Sequence, residues 1–110
     1  MGSSQTIAII LRFDAERASE FEKMFEDEVL PLWHEFRAEG KFIGASLTPV
    51  QGGDEEQPGI KAYILHVQVP SMAEHQEFDS NARFLNFLPK AQAMQPDRPL
   101  VWFGDTLYEV

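Results

Sequence analysis

Apolar and polar residues alternate at the start of the chain. Ile7, Ile9, Leu11 and Phe13 fall on one side, and Thr6, Ala8, Ile10 and Arg12 on the other. A period of two predicts a strand over residues 5–13. The period then changes. Ala18, Phe21, Phe25, Val29, Leu32 and Phe36 recur every three or four residues, which predicts an amphipathic helix over 15–38. Asp14 is placed to cap its start, Pro31 to kink it and Gly40 to end it. A second strand is expected over 41–50, followed by an exposed loop over 51–59.

Alternation resumes at Ile60. Tyr63, Leu65, Val67 and Val69 share one side of a third strand, while Ala62, Ile64, His66 and Gln68 share the other. Pro70 stops it. Ser71 stands three residues before Glu74, the spacing of a capping box, and opens a helix over 71–95. Asp79-Ser80-Asn81 breaks that helix, with Ser80 or Asp79 as the cap of its second half. A last strand is expected over 100–110.

The order is β-α-β-β-α-β within one domain of 110 residues. This predicts an α+β fold: a ferredoxin-like βαββαβ sandwich with a four-stranded antiparallel sheet and helices on one face. The opposite face carries Thr6, Ala8, Ile10, Arg12, Ile64, His66 and Gln68. It is half apolar and no helix remains to cover it, so a homodimer packed face to face is expected.

Composition narrows the chemistry. There is no Cys, which excludes disulfides, thiolate catalysis and Cys-based metal sites. Nine Lys and Arg stand against 18 Asp and Glu, a formal charge of −9, so no nucleic-acid partner is expected. No apolar run reaches the roughly 20 residues of a membrane span. With no signal peptide visible, the expected location is cytoplasmic and no membrane partner is expected. Met1-Gly2-Ser3-Ser4-Gln5-Thr6 fits a loose myristoylation pattern but reads as an irregular start. His34, His66 and His75 lie on three different elements without ligand spacing, so no metal is expected. His34 falls about 200° from Leu32 around its helix and is expected to face solvent.

The segment VPSMAEHQEFDSNARFLNFLPKAQAM resembles the third-strand-to-helix signature of the antibiotic-biosynthesis monooxygenase-like family, within the dimeric α+β barrel superfamily. LRFDAERASEFEKMFEDEVLPLWHEF and LVWFGDTLYEV extend the resemblance over nearly the whole chain. It implies a dimeric α+β barrel. It implies cofactor-independent oxygenation of quinol-like or tetrapyrrole substrates, as in some members, or isomerisation of small metabolites, as in others. A frequent Glu-x-Trp of the family is replaced here by Val67 and Val69. A frequent His falls on Phe78 and a second on Arg83, so the family's catalytic set does not transfer.

The expected function is therefore monooxygenation of a small aromatic or quinol-like compound without a cofactor. The alternative is a non-catalytic dimer that binds small molecules or serves a pathway as an accessory, or a small-metabolite isomerase. The expected pocket lies between the sheet and the broken helix. Tyr63, Arg83 and Asn81 are its candidate catalytic groups, as acid or anion-stabilising donors. Phe78, Phe84 and Trp102 are its candidate substrate-binding side chains. Arg12 and His66 are the polar groups of the dimer face, either joined across the interface or binding an anion.

Overall fold

The structure, a computed structural model, describes residues 4–54 and 57–110. Met1–Ser3 of the myristoylation pattern, and Glu55 and Glu56 of the acidic loop, lie outside the described residues. Four strands form one antiparallel sheet: β1 (Gln5–Asp14), β2 (Gly44–Pro49), β3 (Ile60–Val69) and β4 (Leu100–Asp105). Their order across the sheet is β2-β3-β1-β4. The helices are α1 (Ala18–Glu28), α2 (Leu30–Ala38), α3 (Met72–Asp79) and α4 (Ala82–Ala93). This is the ferredoxin-like α+β arrangement that the sequence predicts.

Alternation decides the faces. Ile7, Phe13, Tyr63, Val67 and Val69 are buried beneath the helices. Phe21, Phe25, Val29, Leu32 and Phe36 meet them from α1, α2 and the residue between. Burying side chains of this size supplies about 1.5–3 kcal/mol each. Aromatic contacts run through this layer, with Phe13 stacked on Phe21 at 4.0 Å and Phe25 edge-on to Trp33 at 5.0 Å.

The expected first helix is two helices. Val29 interrupts it, and Pro31 takes a place in the first turn of α2, where its missing N–H is not required. Asp14 makes no capping bond. A 3₁₀ turn, Ala15–Arg17, follows it, and the Ala15 N–H donates to Gly59 O at 2.7 Å. Gly40 does end α2, with φ 73°, where a side chain would be strained. Lys41 and Phe42 stay outside the second strand because their N–H groups are held by Phe36 O, while the Ile43 N–H, just before β2, already reaches Gln68 O of β3 at 2.8 Å. The last strand stops at Asp105.

Ser71 caps α3, accepting from the Ala73 N–H, and its hydroxyl meets the Glu74 carboxylate. The cap of α4 is Asn81, whose Oδ1 accepts from the Arg83 N–H at 2.9 Å. Neither Ser80 nor Asp79 caps it. The Ser80 hydroxyl instead donates back to Gln76 O at 2.9 Å.

Candidate functional site

The break between α3 and α4 lies over the sheet, and helices cover β4 incompletely. Together these leave a cavity of about 420 Å³ between the sheet and the helices. Its floor is Ile7, Ile9 and Leu11 of β1, Leu65, Val67 and Val69 of β3, and Val101 of β4. Phe21, Phe25, Trp33, Phe78, Phe84 and Phe87 supply aromatic wall, while His75, Asp79, Gln92 and Gln95 supply polar side chains. Phe78 and Phe84 face each other across the helix break with centroids 4.7 Å apart and do not close the space.

The polar groups have defined roles. His75 Nε2 lies 3.1 Å from Asp79 Oδ2, one turn along α3. A carboxylate only accepts, so Nε2 carries a proton in this pair, and in the neutral imidazole the Nδ1 lone pair is left bare. Nδ1 is shielded from water and has no hydrogen-bond partner. Phe103 packs edge-on to the imidazole, with centroids 5.9 Å apart. Partial burial pushes the Asp79 carboxyl above its ordinary value, and His75 pulls it back. At the other end, Gln95 Nε2 donates to Ala91 O at 3.3 Å, and its Oε1 is buried without a partner.

The cavity lies where the sequence places it, but its polar lining is different. Phe78 and Phe84 line it, as expected. Tyr63 does not. It is buried among Phe13 and Phe21, and its hydroxyl donates to the Glu22 carboxylate. That bond is the main reason the Glu22 carboxyl sits below its ordinary value, with Lys61 at 3.3 Å adding to it. Desolvation, and then Glu22, push the Tyr63 phenol well above its own ordinary value, so it is a poor acid. Arg83 points away from the cavity, to Glu35 of α2 at 2.7 Å on the outer surface. Asn81 is spent as a cap.

Trp102 is on the wrong face of the sheet. Residues paired in an antiparallel ladder share a face, and Trp102 pairs with Ala8, whereas Phe103 pairs with buried Ile7. Trp102 therefore stands on the open face with Ile64 and Leu100, all partly exposed. Arg12 and His66 are on that face too but are not brought together. His66 pairs with Ala8 and Arg12 with Ala62, a separation of about 13 Å along the strands. Arg12 Nη2 donates to Arg98 O at 3.0 Å. His34 is exposed. Among the described residues, no three His, Asp or Glu side chains gather as a metal-ligand set, and no helix is long and apolar enough to cross a membrane.

His75 is the functional candidate that sequence reasoning missed. Its signal was the spacing His75, Phe78, Asp79, three and four residues apart and so on one helical face. His75 also stands one turn before Phe78, the position on which a frequent His of the resembled family falls.

No family model matches the chain, and no curated protein matches it. Solved structures do. A putative antibiotic biosynthesis monooxygenase from Caulobacter crescentus superposes with a TM-score of 0.74 and 18% identity over 97% of this chain and 92% of that one. One of the same name from Nitrosomonas europaea gives 0.76 and 8% identity, over 98% and 94%. Another from Bordetella bronchiseptica gives 0.68 and 23% identity, over 98% and 100%.

Proposed function

From a chain that shares the ferredoxin-like α+β fold of structures named putative antibiotic biosynthesis monooxygenases, we propose a small-molecule oxygenase whose substrate occupies the cavity beneath α3 and α4. The observation that carries this reading is the His75–Asp79 pair set in a wall that, Gln92 and Gln95 apart, is aromatic and aliphatic. A cavity of about 420 Å³ suits a flat molecule of two or three fused rings. His75 is the base: Asp79 fixes its tautomer, and Nδ1, shielded in the resting structure, takes a proton from a substrate hydroxyl once the imidazole turns to meet it. The resulting anion is electron-rich and gives electrons to dioxygen. One oxygen atom enters the substrate and the other leaves as water, its two electrons and two hydrogens also coming from the substrate. The apolar wall keeps water from the anion, while the imidazolium, once formed, holds it by charge. This replaces Tyr63, Arg83 and Asn81 in the chemical role.

The working unit we propose is a homodimer. Ile64, Leu100 and Trp102 leave an apolar patch on the open sheet face, and a second copy placed face to face would bury it on both sides.

The test is oxygen uptake over a panel of aromatic hydroxyl compounds, with His75→Ala and His75→Gln beside the wild type. Uptake that falls in both variants supports the reading. Uptake equal to wild type in both removes His75 from the reaction. A second reading, a carrier that binds the same molecules without turnover, draws on the predominance of apolar side chains in the wall. Tight binding with no uptake would favour it.

A further inference from the structure

Two side chains that line the cavity each carry a buried acceptor with no donor, and they constrain what the cavity takes. Gln95 Oε1 and His75 Nδ1 are both buried and unpartnered. The orientation of each side chain follows from its neighbour. Ala91 O only accepts, so the Gln95 amide must turn its nitrogen to it and leave Oε1 aside. Asp79 likewise takes the His75 Nε2–H and leaves Nδ1 bare. A buried acceptor without a donor is costly, and the remaining cavity wall is almost wholly hydrocarbon.

We propose that Gln95, together with His75, makes this cavity selective for ligands that donate hydrogen bonds, and that Gln95 is a specificity-determining residue. The inference rests on the cavity being the ligand site of the proposed function. It adds a rule of recognition: flat apolar molecules bearing O–H groups are accepted, and the same molecules with those groups methylated are refused. Gln95 and His75 both line the cavity while these two atoms are shielded from water, so each side chain has to turn for its acceptor to meet a ligand. The Gln95 bond to Ala91 O is long at 3.3 Å, so little is lost when the amide turns. A ligand hydroxyl then satisfies an acceptor that is otherwise stranded. An ether brings a further acceptor against one already unpaired, which adds to the cost.

The experiment is equilibrium binding without oxygen. Trp33 lines the cavity and Trp102 does not, so a Trp102→Phe background leaves Trp33 as the reporter of quenching. The probes are naphthalene-2,6-diol, 2,6-dimethoxynaphthalene and naphthalene as a size control. The diol is expected to bind at least about tenfold more tightly than the diether, the scale of one satisfied buried acceptor. Gln95→Leu should cut that preference about tenfold, chiefly by improving the diether and naphthalene. Gln95→Met serves as a second apolar replacement, and circular dichroism checks that both fold.

Equal binding of diol and diether by the wild type overturns the inference. So does an unchanged preference in both folded variants, or no binding of any probe up to its solubility. The readout involves no turnover. Donor selectivity without oxygen uptake would leave this inference standing and sink the oxygenase. Uptake without donor selectivity would do the reverse.

Discussion

The hydroxyl of Tyr63 in β3 donates to the carboxylate of Glu22 in α1. The side chain most suggestive of chemistry in the third strand thus ties the sheet to the first helix. Tyr63→Phe is expected to leave oxygen uptake unchanged and to cost about 1 kcal/mol of stability, a fall in Tm of about 4 °C. The pH dependence has a definite sign. Glu22 is depressed in the folded state, so its contribution is complete above the ordinary Glu value of about 4.3 and fades as pH falls through its lower folded value. The gap between wild type and Tyr63→Phe should narrow over that acid window in thermal melts. A large loss of uptake at full stability would restore Tyr63 to the site.

His75→Ala should lower turnover by about 10²- to 10⁴-fold, the usual reach of a positioned base. Asp79→Asn should lower it less, because an amide still accepts the Nε2–H. Stability should move the other way. Burial raises the Asp79 carboxyl in the folded state, so its charge opposes folding once pH climbs past the ordinary Asp value of about 3.9. Asp79→Asn is therefore expected to be at least as stable as wild type at neutral pH. Its advantage should shrink toward acid, read by denaturant titration at several pH values.

Arg83→Ala and Asn81→Ala separate surface roles from chemical ones. The Arg83–Glu35 pair is about half-exposed on both sides. Its removal should cost under about 1 kcal/mol, and less in high salt. Asn81→Ala removes the α4 cap and should cost about 1 kcal/mol. Neither should change uptake per folded molecule. A specific loss of turnover in Arg83→Ala would show that Arg83 reaches the substrate.

The open face gives a test of assembly. Trp102→Glu places a charge in the apolar patch, opposite Ala8 and two residues along the same strand from the exposed Leu100. Sedimentation should show a homodimer for wild type and a monomer for the variant at the same concentration. A wild-type monomer at micromolar concentration would remove the dimer from the proposal.

Periodicity made most of this fold legible. The alternation of Ile7, Ile9 and Leu11 against Ala8, Ile10 and Arg12 assigned both sides of β1 correctly, because one side had to be buried. Asp79-Ser80-Asn81 marked the helix break, and with it the cavity. Trp102 was illegible for a physical reason. Leu100, Val101, Trp102 and Phe103 are all apolar, so only the ladder to β1 settles which pair faces the helices. Tyr63 was assigned to the correct face, but its hydroxyl found Glu22, a partner 41 positions away. His75 was legible in principle, since Asp79 follows it by one turn, but Asp79 had been read as part of the break.

The β1–β4 ladder also governs when the cavity can exist. Ile10 pairs with Leu100 and Ile9 with Val101, contacts that span nearly the entire sequence. Closing so long a loop is entropically slow, whereas β2–β3 and the helix turns can form from near neighbours. A partly folded chain can therefore hold the β2–β3 hairpin and most of the helices while lacking the part of the floor that Val101 provides. The cavity is therefore expected to be a late product of folding, complete only when the first and last strands pair.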